Sequence, residues 1–260
     1  MIYLIIGRTG AGKDHLAHLM EQQGMKILKS YTTRPKRTET EDTHIFITKE
    51  EAKNYQHRVA ETVINNHEYF ATKDQIADCD IYIIDPKGMA ELTSKLADED
   101  FHIIHITADK ETRKKRAAKR GDLATENKIF EEREASEDQQ FSDFEELIQL
   151  RKTHQNQPLP NNIARIYTIT NNGPEEILID AAEKLANEKM LHDKITKIVK
   201  ECQEQNIIYT DPAVPEHILL YRPDGAIQSL TPEQFTEVVI DDTEGFTHLM
   251  KQYIMKSDKL

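Results

Sequence analysis

Tryptophan is absent from this 260-residue chain, and aromatic residues make up only 7 % of it. With charged residues at 31 %, that scarcity of large rings points to helices whose outer faces are well solvated. Cysteine is scarce too. Cys79 and Cys202 lie far apart and form no C-x-x-C pair, which excludes a disulfide framework and points to a reducing compartment. No apolar run is long enough to span a bilayer, and the chain opens directly on a core strand, with no stretch that reads as a signal peptide. A soluble, cytoplasmic protein is the expectation. Positive charge is also in short supply: 34 Lys and Arg stand against 46 Asp and Glu, for a formal net charge of −12. That balance argues against general affinity for nucleic acid or for an anionic membrane. Metal-ligand spacing is missing as well. His102 and His105 sit three apart on an expected strand and so point to opposite faces, while His15 and His18 have no matching Cys or His group. The acidic run Asp241-Asp242-Thr243-Glu244 lacks the EF-hand spacing.

What is present begins at the N-terminus. Ile2 to Ile6 is a continuous apolar run of the kind buried on both faces of a parallel sheet. Gly7-Arg8-Thr9-Gly10-Ala11-Gly12-Lys13-Asp14 follows, then a helical pattern with Leu16, Ala17, Leu19 and Met20 on one face. Strand, glycine loop and helix together make a phosphate cradle. The glycines let successive backbone N–H groups converge on an anion, and the helix N-terminus adds its partial positive charge. The spacing matches G-x-x-x-x-G-K-[ST], with Asp14 in place of the final hydroxyl. Lys13 is expected to reach the β- and γ-phosphates of a nucleoside triphosphate. Asp14 is expected to hold Mg²⁺ directly or through water, since this hard cation prefers oxygen ligands.

Further strands are expected at 25–29, 80–84, 101–107 and 165–170, separated by helices at 14–23, 49–55, 88–97, 110–119, 126–150 and 174–189. Such alternation indicates a parallel sheet covered on both sides, with ligands beyond the carboxyl ends of the strands, where Gly7, Ser30 and Asp85 fall. Past residue 190 the pattern changes. A helix around 190–205 precedes a β-hairpin, 217–221 and 226–230, turning at Pro223-Asp224-Gly225. Thr231 then caps a helix with Pro232 at its first position, and a last helix covers 245–255. Charge is distributed unevenly. Residues 110–120 hold seven basic residues and one acid, suited to a local polyanion such as a nucleotide, whereas 201–260 carry eleven acids against four bases.

The stretch Ser30-Tyr31-Thr32-Thr33-Arg34-Pro35-Lys36-Arg37 resembles the S-x-T-T-R-x-x-R segment of the guanylate kinase family. The resemblance continues in order over about 190 residues. Glu61 stands nine residues before Phe70 in Tyr69-Phe70-Ala71-Thr72; Asp85-Pro86-Lys87-Gly88 follows the third core strand; Arg116 and Arg120 match the lid arginines of R-x-x-x-R-G; Arg133 approximates a further arginine; and Asn171 closes the last strand. The chain departs from the family at Ile83, His44, Phe70 and Ala71, where the family has an aspartate, two tyrosines and a glycine.

The resemblance implies a three-layer α/β P-loop NTPase with a five-stranded parallel sheet in the order 2-3-1-4-5 and a small α+β C-terminal appendage. The kinase core would cover 1–190, with an acceptor lobe near 30–75 and a lid near 113–135, and the appendage 191–260 could serve oligomerisation, as in a homodimer, lid packing or a partner. The implied activity moves the γ-phosphate of ATP to a nucleoside monophosphate, GMP or dGMP, with Mg²⁺. The cradle residues Gly7 to Asp14 and Asn171 would bind ATP. Arg34 and Arg37, guanidinium forks three apart, suit a monophosphate dianion, with His44 and Phe70 at the family's tyrosine positions. Ser30, Glu61, Thr72 and Asp85 would face the base, whose N1–H and amine favour carboxylate acceptors. Lys13, Arg116, Arg120 and Arg133 would spread transition-state charge, and Asp14 and Asp85 would hold the metal. The rivals are a non-catalytic interaction module of the same fold and a kinase for another dNMP or a polynucleotide end.

Overall fold

The computed structural model describes residues 1–36, 38–64, 66–119, 123–153, 163–204, 208–210, 218–221, 227–231 and 234. In chain order the elements are β1 (Ile2–Ile6), α1 (Lys13–Gln22), β2 (Tyr31–Thr32), β3 (Ile45–Phe46), α2 (Lys49–Ala52), β4 (Arg58–Ile64), β5 (His67–Thr72), α3 (Lys73–Ala77), β6 (Ile81–Ile83), α4 (Pro86–Lys95), β7 (Phe101–Thr107), α5 (Lys110–Ala118), α6 (Leu123–Thr153), β8 (Ile163–Thr170), α7 (Glu176–Glu204), β9 (Ile208–Thr210), β10 (Ile218–Tyr221) and β11 (Ile227–Leu230). They fall into two compact units, 1–187 and 188–260.

The first unit is an α/β fold around a four-stranded parallel sheet in the order β6-β1-β7-β8. All five residues of β1 are buried, because alternate side chains enter two different cores. Ile2, Leu4 and Ile6 pack with Met89 and Leu92 of α4 and Phe141, Phe144 and Ile148 of α6. Tyr3 and Ile5 pack with Leu16, Ala17 and Met20 of α1 and Leu178, Ala182 and Leu185 of α7. Helices thus cover both faces of the sheet. The Tyr3 hydroxyl, inside the second core, donates to the Leu185 carbonyl at 3.1 Å.

The sheet has four strands where five are expected. Residues 25–29 lie beside β6 but form one isolated parallel bridge, Ile27 to Ile81. The amides of Asp80 and Ile81 both donate to the Lys26 carbonyl. Two bonds on one acceptor interrupt the even ladder that a parallel strand needs.

Residues 30–72 form a second, mixed sheet that periodicity does not reveal, ordered β3-β2-β5-β4. Its strands β2 and β3 have two residues each, and β4 is kinked by a register shift between Val59 and Thr62, where Ala60 takes φ 54°. The bulge interrupts the alternation a regular strand would show.

The second unit contains the antiparallel sheet β11-β10-β9. The expected hairpin strands pair, Tyr221 opposite Ile227, and the expected turn lies outside the described residues. Thr231 and Gln234 exchange side-chain and backbone bonds as a capping box does, while the helix expected at 245–255 lies outside the described residues. Two helices were expected between 174 and 205; α7 is one continuous helix. Among the described residues, no helix is long and apolar enough to cross a membrane.

Candidate functional site

The loop from β1 to α1 is shaped by close backbone approach. A Cβ on Gly7 would lie 2.3 Å from the Ile106 carbonyl oxygen of β7, and one on Gly12 would lie 2.5 Å from Asn171 Nδ2. Gly12 also has φ 108°, so the turn into α1 needs glycine for backbone and space alike. Lys13 arches back over the loop and donates to the carbonyls of Gly7 at 2.6 Å and Arg8 at 3.3 Å. Asn171, 4 % exposed, donates to the Ala11 carbonyl at 2.8 Å and accepts from Arg116 Nη2 at 3.2 Å. One amide side chain therefore ties the loop to the end of β8 and to α5.

Residues of this loop line two cavities. The first, of about 330 Å³, is lined by Gly10, Gly12, Asp14, Arg116, Asn171 and Glu175. The second, of about 420 Å³, has Gly7, Thr9 and Lys13 on its loop side, Ser30, Arg34, His44 and Asp85 on its far wall, and Arg133 from α6. Of the expected residues, then, Asp14, Arg116 and Asn171 gather in one cavity and Lys13, Ser30, Arg34, His44, Asp85 and Arg133 in the other. Asp85 also caps α4, accepting from the Gly88 amide at 2.8 Å.

The far wall is a connected polar surface. Ser30 Oγ bonds His44 Nδ1 at 3.0 Å, and Ser30 and Tyr82 line the same wall. Burial pushes the Tyr82 phenol well above its ordinary range, with the Asp85 carboxylate adding to the effect. Arg34 forms a bidentate pair with Glu41, 2.7 Å at its closer arm. Burial works against its charge, but the Glu41 bond and Tyr69 outweigh that and raise its pKa.

Other expected site residues make contacts within the fold. Glu61 is ion-paired to Arg58 at 3.1 Å and does not line either cavity. Phe70 is fully buried, stacked on Tyr31 and lying 4.0 Å beneath the Arg58 guanidinium; a ring locked in that core has no face left for a ligand. Thr72 caps α3 in a capping box with Gln75. Arg8 turns away from the loop toward α6, reaching Asp138 at 2.6 Å and Glu145 at 3.2 Å, with its guanidinium over the Phe141 ring. Arg37 and Arg120 lie outside the described residues.

Several residues at the site escape sequence reasoning. Tyr69 and Tyr82 line the second cavity from strands, and Ser136, Glu137 and Gln140 line it from α6. Arg113 is buried and donates to Glu134 at 2.7 Å and to the carbonyls of Ala108 and Thr9 at 3.1 and 3.3 Å. The signal available was weak. Glu134, Glu137, Phe141 and Glu145 recur at helical spacing, a pattern shared by any half-solvated helix.

Among the described residues, no three His, Cys, Asp or Glu side chains converge as a metal site. A cation at the loop would rest on one carboxylate and on phosphate oxygens, the manner in which Mg²⁺ is usually held. Asp14, exposed at the head of α1 and lining the first cavity, fits that role; Asp85 lines the other cavity, so the two do not form one ligand pair.

No protein-family model and no curated protein matches the chain. Among solved structures, it is similar to a guanylate kinase from Anaplasma phagocytophilum at 14 % identity and TM-score 0.43, over 72 % of this chain and 82 % of that one. It is also similar to an uncharacterized protein from Eubacterium ventriosum at 14 % identity and TM-score 0.29, over 72 % of this chain and 98 % of that one. At such scores neither likeness bears on function.

Proposed function

We propose that this chain is a P-loop nucleoside monophosphate kinase that moves the γ-phosphate of ATP to GMP or dGMP with Mg²⁺. The observation that carries the reading is the shared loop: one Gly-Lys turn walls two cavities of nucleotide size, and its lysine faces the second. ATP would occupy the first cavity with its phosphates on the loop. The monophosphate would occupy the second, its phosphate toward Arg34 and its base toward Ser30, Tyr82 and Asp85. The Asp85 carboxylate can accept from the N1–H and amine of guanine, which adenine lacks in that arrangement. Glu61 and Thr72 are not needed for this contact.

An oxygen of the acceptor phosphate attacks the γ-phosphorus in line as the bond to the β-phosphate oxygen breaks. The acceptor is already ionised, so no general base is required. Lys13 would leave the Gly7 and Arg8 carbonyls to meet the phosphates, and Arg116 and Arg133 would approach the transferring group from α5 and α6. Mg²⁺, when bound, would neutralise phosphate charge, and Asp14 would hold it through oxygen. ATP and the monophosphate are thus the partners proposed. A coupled ADP-release assay with each NMP and dNMP tests the reading. Turnover is expected with guanine monophosphates, and Lys13→Ala is expected to abolish it in a folded protein. Turnover with no monophosphate would leave the interaction-module rival; competition by short oligonucleotides alone would favour a polynucleotide-end kinase.

A further inference from the structure

Thr9 sits at the centre of the loop, and each of its polar groups is bonded to a side chain of α5 or α6. Its amide donates to Glu137 Oε2 at 3.0 Å, its hydroxyl donates to Glu137 Oε1 at 2.6 Å, and its carbonyl accepts from Arg113 at 3.3 Å. Glu137 thus sets both carboxylate oxygens on one residue of the loop and, with Thr9 and Lys13, lines the second cavity. A carboxylate receiving a loop N–H and a hydroxyl is chemically what a phosphate oxygen pair would be at the same donors.

Resting on the kinase reading above, we propose that Glu137 is an affinity-determining residue of the polyphosphate site: a built-in competitor that occupies the Thr9 donors and yields them to a polyphosphate. The neighbouring contacts say what yielding entails. Arg113 to Glu134 and Arg8 to Asp138 and Glu145 hold the same face of α6 on the loop and on α5. An arriving polyanion repels Glu137 and offers the Thr9 donors a stronger acceptor, so α6 releases its grip there while Arg113 keeps the helix anchored. Loop occupancy and the position of Ser136, Glu137 and Gln140 in the acceptor cavity are coupled by one carboxylate.

The test uses the full chain and inorganic tripolyphosphate, which reports the loop without requiring turnover. Calorimetry compares the wild type with Glu137→Gln and with Glu146→Gln, an exposed residue on the same helix that gives the same change of charge. Glu137→Gln is expected to bind about tenfold more tightly, the scale of one charge-assisted hydrogen bond removed from competition, and Glu146→Gln to match the wild type. Hydrogen exchange of the α6 amides around 134–141 is expected to rise when tripolyphosphate saturates the wild type. Equal affinity of all three proteins overturns the proposal while leaving the cradle intact. Weaker binding by Glu137→Gln also overturns it, because Glu137 would then be supporting the loop. Absence of tripolyphosphate binding in every protein removes the cradle and the competitor together, and binding by Glu137→Gln alone supports the proposal in its strongest form.

Discussion

Arg113 and Glu134 carry the contact between α5, α6 and the loop, and a double-mutant cycle measures how much they carry together. Their side chains are 5 % and 10 % exposed. Replacing Arg113 with methionine leaves Glu134 buried beside Arg8, whose nearest approach is 3.7 Å, and leaves the carbonyls of Ala108 and Thr9 without their donor. Breaking a buried pair costs about 3–5 kcal/mol, and the nearby Arg8 moves the expectation to about 3. Glu134→Leu leaves Arg113 with two carbonyl partners and is expected to cost about 2 kcal/mol. In the double variant the charge problem disappears, and the side chains pack near Phe130, over whose ring Arg113 lies. Only the two orphaned carbonyls remain, for a loss of about 2 kcal/mol. The coupling is then about 3 kcal/mol, at the upper end for contacting residues. Because the chain divides into two units, bulk unfolding is the wrong readout. Urea-dependent hydrogen exchange at the fully buried amides of β1 reports the first unit alone. Additive losses in the double variant would refute the argument, since they would mean that the two side chains do not sense each other.

Acid provides a second view of the same pair. The Arg113 hydrogen bond holds the Glu134 carboxyl below its ordinary value of 4.5 despite burial, so its contribution is complete above that pH and is lost as pH falls through the lowered native value. Wild-type stability of the first unit should therefore decline below about pH 4.5, and Glu134→Gln should flatten that decline in the same exchange measurement. Gly12→Ala meets both a left-handed φ and Asn171 Nδ2, so ATP affinity should fall about a hundredfold by calorimetry; unchanged affinity would show that the loop admits a side chain. Asp85→Asn should raise the KM for guanine monophosphates about tenfold or more, whereas Glu61→Gln, outside the cavity, should leave it within about twofold. Equal effects of the two would return Glu61 to the site.

The parallel core was legible because its strands obey simple rules. Ile2 to Ile6 is apolar throughout, and both of its faces are buried; Phe101–Thr107 was read to the residue. The second sheet was not legible. Tyr31–Thr32 and Ile45–Phe46 are two residues each, too short for any period, and the bulge at Ala60 breaks the alternation of β4. Residues 25–29 had the composition of a strand, but strand pairing depends on a neighbour's carbonyls, which sequence does not display. The site divides along the same line. The loop glycines were readable because backbone geometry restricts what can stand there. Phe70 lies in a core and Thr72 caps α3, positions that the family's spacing alone does not reveal.

The basic run at 110–120 shows what counting charges leaves out. Seven positive residues in an acidic chain suggest a polyanion, yet the structure supplies anions from within: Lys110 and Lys114 meet Glu131, and Arg113 meets Glu134. Of this run's described residues, Arg116 is the one that lines a cavity beside the loop. Charge density alone therefore does not separate residues paired within the protein from one that lines a cavity. A helix studded with lysine and arginine is held in part against the glutamates of α6, whereas Arg116 reaches the Ala11 carbonyl and Asn171 at the loop. Most of the carboxylates of α6 beside the loop are paired in the same way. Arg8 and Arg113 neutralise Asp138, Glu145 and Glu134, which leaves Glu137 as the carboxylate set directly on the loop's own donors. The competition tested with tripolyphosphate follows from that division of charge, and it would vanish if Glu137 had a cation of its own.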